Sequence, residues 1–177
     1  MSLSPWKKIS EKILFKNPWW TYKWDETELP SGKKGEYHYV HTNGASMIIP
    51  ILPDGRIIMV KQYRYLNKRE SLEFPCGGVK NGHTYEETAH QELAEETGFI
   101  ADQWTEIGEF NPYNGVTDEI CKVFCAKSLS EVNSQPDETE EFEILFLSKE
   151  DIDKRITSNE IWDGMTLACW VVSRNKL

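Results

Sequence analysis

Between Thr84 and Thr97 stand five glutamates, Glu86, Glu87, Glu92, Glu95 and Glu96, with no lysine or arginine among them. In a helix, no i,i+4 ion pair within that segment would relieve the charge. Glu92, Glu95 and Glu96 are offset by three and four residues, and at about 100° per residue their carboxylates fall within an arc of roughly 100°. Glu95 and Glu96 also occupy the last turn, where the negative helix end disfavours each anion by about 0.3–1 kcal/mol. A solvated acidic face is the plain alternative for such a run. The chemical alternative is a hard divalent cation, Mg²⁺ or Mn²⁺, which clustered carboxylates with waters suit; no nearby thiol pair suits zinc.

The elements around this cluster decide between the two. Thr84-Tyr85-Glu86-Glu87 fits a capping box and Gly98 supplies a stop, so the spacing predicts a helix over about Tyr85 to Thr97. Upstream, Glu73 to Val79 leads through Asn81-Gly82 into that helix as strand, Gly-rich loop and helix, which lets backbone approach a ligand. Ser46 to Leu52 and Arg56 to Tyr65 flank Pro53-Asp54-Gly55 and read as a hairpin. Further strands are expected at Trp104 to Phe110, Ile120 to Ala126 and Phe142 to Leu147. A second helix follows Ser148, and a third runs from about Asp163 to Arg174 with Met165, Ala168, Val171 and Val172 on one face. Strands with helices packed outside them imply an α+β sandwich with a mixed or antiparallel sheet.

Gly77 through Phe99 resembles the Nudix box, G-x5-E-x7-R-E-U-x-E-E-x-G-U with U a bulky apolar residue. The matches are Gly77, Glu92, Leu93, Glu95, Glu96, Gly98 and Phe99. Two positions depart from it: His83 stands where the first Glu is expected and Gln91 where the Arg is expected. In the family those two hold loop and helix together, so their joint replacement reads as an ion pair exchanged for hydrogen bonds, with the metal-binding carboxylates untouched. The resemblance implies the Nudix α/β/α sandwich with a mixed central sheet, and Glu92, Glu95, Glu96 and the Cys76 main-chain carbonyl as metal ligands. Glu95 would also complete or bridge the catalytic cluster.

Beyond the box, the chain resembles the ADP-ribose pyrophosphatase branch of that family. Asn17-Pro18-Trp19-Trp20 and Gly35-Glu36-Tyr37-His38-Tyr39-Val40 are similar to its N-terminal β-extension, and Lys61-Gln62-Tyr63-Arg64 to its substrate-arginine strand. Glu73-Phe74-Pro75-Cys76-Gly77 is similar to its E-L-P-A-G lead-in, and Pro112 to Glu119, with Gly115, to its substrate loop. The resemblance implies hydrolysis of a nucleotide sugar, ADP-ribose to AMP and ribose 5-phosphate, with Mg²⁺ or Mn²⁺. Substrate contacts would come from Arg64, Trp20, Tyr37, Glu73 and Gly115. In the acidic run Pro136 to Glu143, Glu138 would be the general base and Glu140 a further metal contact. Core packing is an alternative for Trp20 and Tyr37, and Trp19 an alternative stacking residue. Relatives in this branch are commonly homodimers that exchange the N-terminal extension, which implies a homodimer here.

Two other functions fit the same residues: a pyrophosphatase for another nucleotide sugar or dinucleotide, or a nucleotide-sugar sensor whose box His83 and Gln91 have weakened. Composition narrows the field further. At 177 residues the chain is the size of one domain, read here as an N-terminal β-rich extension over 1–45 and a catalytic domain over 46–177. Its formal charge of −9 argues against nucleic acid and anionic lipid as partners. Cys76, Cys121, Cys125 and Cys169 form no zinc or disulfide pattern and are expected as reduced thiols. With no signal-like apolar segment or spanning stretch, the expectation is a cytoplasmic protein without membrane insertion.

Overall fold

In the computed structural model, residues 3–133 and 141–177 are described. The chain divides into two compact units, Met1–Asn43 with Tyr113–Glu119, and Gly44–Pro112 with Ile120–Leu177. The first is an antiparallel sheet of β1 (Lys7–Lys16), β2 (Thr21–Glu28) and β3 (Lys34–His41), in that order. The N-terminal stretch is therefore regular β-structure. Its edge strand β1 leaves Ile13 and Phe15 more than half exposed. The loop 113–119 is zipped along the end of β3: Val40 N–H donates to Val116 O at 2.8 Å and Asp118 N–H to Val40 O at 3.3 Å. His41 Nδ1 lies 2.7 Å from Asp118 Oδ2.

The second unit is built on β4 (Ala45–Pro50), β5 (Ile57–Arg64), β6 (Arg69–Glu73), β7 (Cys76–Gly78), β8 (Phe99–Phe110), β9 (Cys121–Glu131) and β10 (Glu143–Leu147), with helices α1 (Tyr85–Thr97), α2 (Lys149–Thr157) and α3 (Gly164–Ser173). One sheet runs β7-β4-β9-β8 and is mixed, since β4 and β9 pair in parallel; the other runs β10-β5-β6 and is antiparallel. Every residue of β4 is buried, as a central strand covered on both faces requires. Its alternation divides two cores. Ile48 packs with Ala89 and Leu93 of α1 and with Phe124 and Ala126, while Met47 and Ile49 join Phe74, Val123, Ile152 and Trp170 on the other side.

Two sequence expectations are corrected. The expected hairpin keeps its turn, through Leu52 N–H to Arg56 O at 2.9 Å and a single Ile51–Ile57 bridge. No ladder follows, because β4 pairs with β7 and β9 and β5 with β6 and β10. A strand buried along its whole length gains more from two flanking partners than from its chain neighbour. In α3 the buried residues are Thr166, Cys169, Trp170 and Ser173, whereas Val171 is 73% exposed. A helix apolar around most of its surface turns its largest side chain inward, and Trp170 stacks on Phe74 with ring centroids 6.1 Å apart.

Candidate active site

Helix α1 begins as its sequence dictates. Thr84 Oγ1 accepts the Glu87 N–H at 3.1 Å while Glu87 Oε2 accepts the Thr84 N–H at 2.7 Å, closing the capping box. Glu87 is held below the usual carboxylate range, first by that backbone bond. At the other end Gly98 takes φ 72° and ψ 23°, and its N–H returns to Ala94 O, a left-handed stop that suits glycine. Ser46 Oγ donates to Tyr85 O at 2.7 Å, tying the first turn to β4.

The three box carboxylates have separate settings. Glu96 is buried and its Oε2 accepts the Cys76 N–H at 3.1 Å. Glu92 lies across Gly77: a Cβ there would stand 2.0 Å from Glu92 Cδ, so only glycine leaves the carboxylate its place. Glu95 Oε1 accepts from Gln91 Nε2 at 2.7 Å within the helix. The amide that replaces the family's arginine thus engages a box glutamate. His83 lies exposed in the preceding turn, its N–H on Lys80 O at 3.0 Å. The segment facing the carboxylates, expected as a loop, forms strand β7 against β4, and it is braced by Ile48 N–H to Pro75 O and Val79 N–H to Gly44 O, each 2.9 Å.

The Cys76 thiol packs against the buried core of the second unit. A hydrogen bond with Cys121 and burial push it well above the usual thiol range, so it stays protonated. Among the described residues no three His, Cys, Asp or Glu side chains stand grouped as a ready-made metal cage. The donor chemistry nevertheless fits a hard cation. Two carboxylates are gathered against Cys76 and Gly77, and Mg²⁺ commonly keeps several waters and uses only one or two carboxylates plus substrate phosphates.

On the β5–β6 face, Arg64 and Glu73 meet. Arg64 Nε donates to Glu73 Oε1 at 2.8 Å and Nη2 to Oε2, a two-bond fork, with Gln62 Nε2 3.5 Å from Oε2. The carboxylate beside it raises the Arg64 guanidinium above its ordinary value. Glu73 is 3% exposed, while the Arg64 side chain is 45% exposed. This pairing was not legible in the sequence, although the even spacing of Arg64 and Gln62 on one strand face was a usable signal.

In the first unit, Tyr37 Oη donates to Gly115 O at 3.2 Å, bringing together two residues expected at the substrate. Trp20 is 39% exposed beside Phe15, with ring centroids 5.4 Å apart, and Trp19 is 79% exposed. Glu138 and Glu140 lie outside the described residues. The remaining histidines have local partners: His38 Nδ1 is 3.0 Å from Tyr22 Oη, and His90 stacks on Trp104 at 4.2 Å.

The chain is thus an α+β fold in which a mixed sheet is flanked by helices and the carboxylate-bearing helix is pinned to the strand before it. A model of the NUDIX domain matches residues 40–165, and the chain belongs to that family, as a Nudix hydrolase. It is 38% identical over 144 residues to "ADP-ribose pyrophosphatase" of Bacillus subtilis, covering 80% of this chain and 78% of the relative. It is 32% identical to "Methanol dehydrogenase activator" of Bacillus methanolicus, over 81% of this chain and 78% of that one. A solved structure described as "ADP compounds hydrolase" superposes with a TM-score of 0.85 at 20% identity, covering 99% of this chain and 95% of the other, which supports the fold. Nudix hydrolases generally use a divalent metal. Among the described residues no helix is long and apolar enough to cross a membrane.

Proposed function

We propose that this protein hydrolyses the pyrophosphate of a nucleoside diphosphate sugar, with ADP-ribose giving AMP and ribose 5-phosphate. The observation that carries the reading is the pair of box carboxylates held against Cys76 and Gly77, on a chain 38% identical to an ADP-ribose pyrophosphatase. Glu92, Glu95, Glu96 and the Cys76 carbonyl would hold Mg²⁺ or Mn²⁺, with Glu140 as a further ligand. Held there, such a cation would supply charge neutralisation for the diphosphate and a more acidic water.

The chain's own residues do the rest. Glu138 accepts the proton of the attacking water, one P–O bond of the anhydride breaks, and the bridging oxygen leaves with the other phosphate. Arg64 binds a phosphate through the donors its fork leaves over, with Glu73 behind it. Trp20 and Tyr37 stack on the base, and Gly115 lines the substrate loop beside Tyr37. The exposed Trp6, Ile13, Phe15 and Trp19 on and beside β1, within the β-rich extension over 1–45, support a homodimer formed there. Cytoplasmic location follows the same reading.

The test is incubation with ADP-ribose and a panel of nucleotide sugars in Mg²⁺, Mn²⁺ or EDTA, with products identified by mass. AMP and ribose 5-phosphate, lost with EDTA, support the reaction; no product from any substrate overturns it. Glu138→Gln should lower turnover more than metal affinity, and light scattering reads the oligomer.

A further inference from the structure

A carboxylate as buried as Glu73 is costly unless its charge is matched and its oxygens are bonded. Both conditions are met by Arg64, whose Nε and Nη2 take one oxygen each, with Gln62 beside the second oxygen. A two-bond fork fixes the plane and direction of a guanidinium, which a single contact does not. Engaging the Nε–Nη2 edge leaves Nη1 and the second Nη2 hydrogen directed away from Glu73, on a side chain that remains 45% exposed. The anchor is itself held fast. The next residue, Phe74, is fully buried against Trp170; Pro75 O accepts from Ile48 N–H; and Cys76 N–H binds Glu96.

We propose that Glu73 is a positioning residue: it does not touch the substrate but holds Arg64 with its outer donors set for a phosphate of the nucleotide sugar. This rests on Arg64 as the substrate cation. Without the fork, an exposed arginine would sample several rotamers, and ordering it would be charged against substrate binding.

The experiment compares kcat and KM for ADP-ribose in the wild type, Arg64→Ala, Glu73→Gln and the double variant, each with and without added guanidinium ion. Arg64→Ala should raise KM by about tenfold or more. Glu73→Gln, isosteric and foldable, should raise KM several-fold with kcat within about threefold, and the double variant should match Arg64→Ala alone. Guanidinium ion should restore activity to Arg64→Ala but not to the double variant, because Glu73 is what seats it. An unchanged KM in Glu73→Gln, additive effects in the double variant, or equal rescue of both overturns the positioning role. An unchanged KM in Arg64→Ala instead overturns the reading of Arg64, and the role of Glu73 with it.

Discussion

Helices α1 and α2 have comparable beginnings and opposite ends. Both are capped by a hydroxyl, Thr84 and Ser148, and both carry acids in the first turn, where the helix's positive end favours them. In α2 the last turn holds Lys154 and Arg155, as the macrodipole prefers; in α1 it holds no base, and Glu95 and Glu96 stand there instead. One helix follows helix electrostatics and the other departs from them at its most costly end. The departure is where Glu96 turns inward to the Cys76 N–H and Glu92 lies against Gly77. A helix that gives up favourable electrostatics while keeping good caps is retained for what its carboxylates do.

The sharpest way to break that contrast is Glu96→Gln. It should cut metal-dependent turnover on the order of a hundredfold or more with an unchanged or higher Tm. Unaltered turnover would place the chemistry elsewhere. Gly77→Ala should come next, because its Cβ needs the space Glu92 occupies; about tenfold lower turnover is expected, with a Tm lower by several degrees. Steady-state kinetics beside a thermal melt reads both variants.

Smaller effects test the electrostatics directly. Glu95→Lys in α1 should stabilise by about 0.3–1 kcal/mol, and Lys154→Glu in α2 should destabilise by a similar amount, together a few degrees of Tm in opposite directions. Equal signs in the two melts would remove the asymmetry. The smallest effect is one the helices share. Glu87 is held low first by the Thr84 backbone bond and Asp151 first by the Ser148 hydroxyl. Depressed carboxylates contribute stability that is present above their unfolded value and lost as pH falls through the folded one. Melts between about pH 6 and pH 3 should therefore lose this contribution at the acid end, and Ser148→Ala should flatten that limb more than Thr84→Ala, which leaves the Thr84 N–H in place.

The same contrast separates what could be read in advance from what could not. The bounds of α1 and the start of α2 were legible from Thr84, Gly98 and Ser148, because a cap is set among residues three or four apart. The carboxylate face of Glu92, Glu95 and Glu96 was legible for the same reason: helical spacing alone sets it. Burial within α3 was not, since an evenly apolar helix has no face until a sheet chooses one, and Trp170 chose it by meeting Phe74.

Sequence by itself determined the short-range features: the capped acidic helix with its carboxylate face, and the turn at Asp54-Gly55. Tertiary structure alone decided that β4 leaves its hairpin partner to run parallel to β9, that the Cys76 backbone engages Glu96, and that Arg64 is forked onto a buried Glu73. Those outcomes depend on which distant strands best bury a given face and satisfy its polar groups, a competition between segments that no local spacing records.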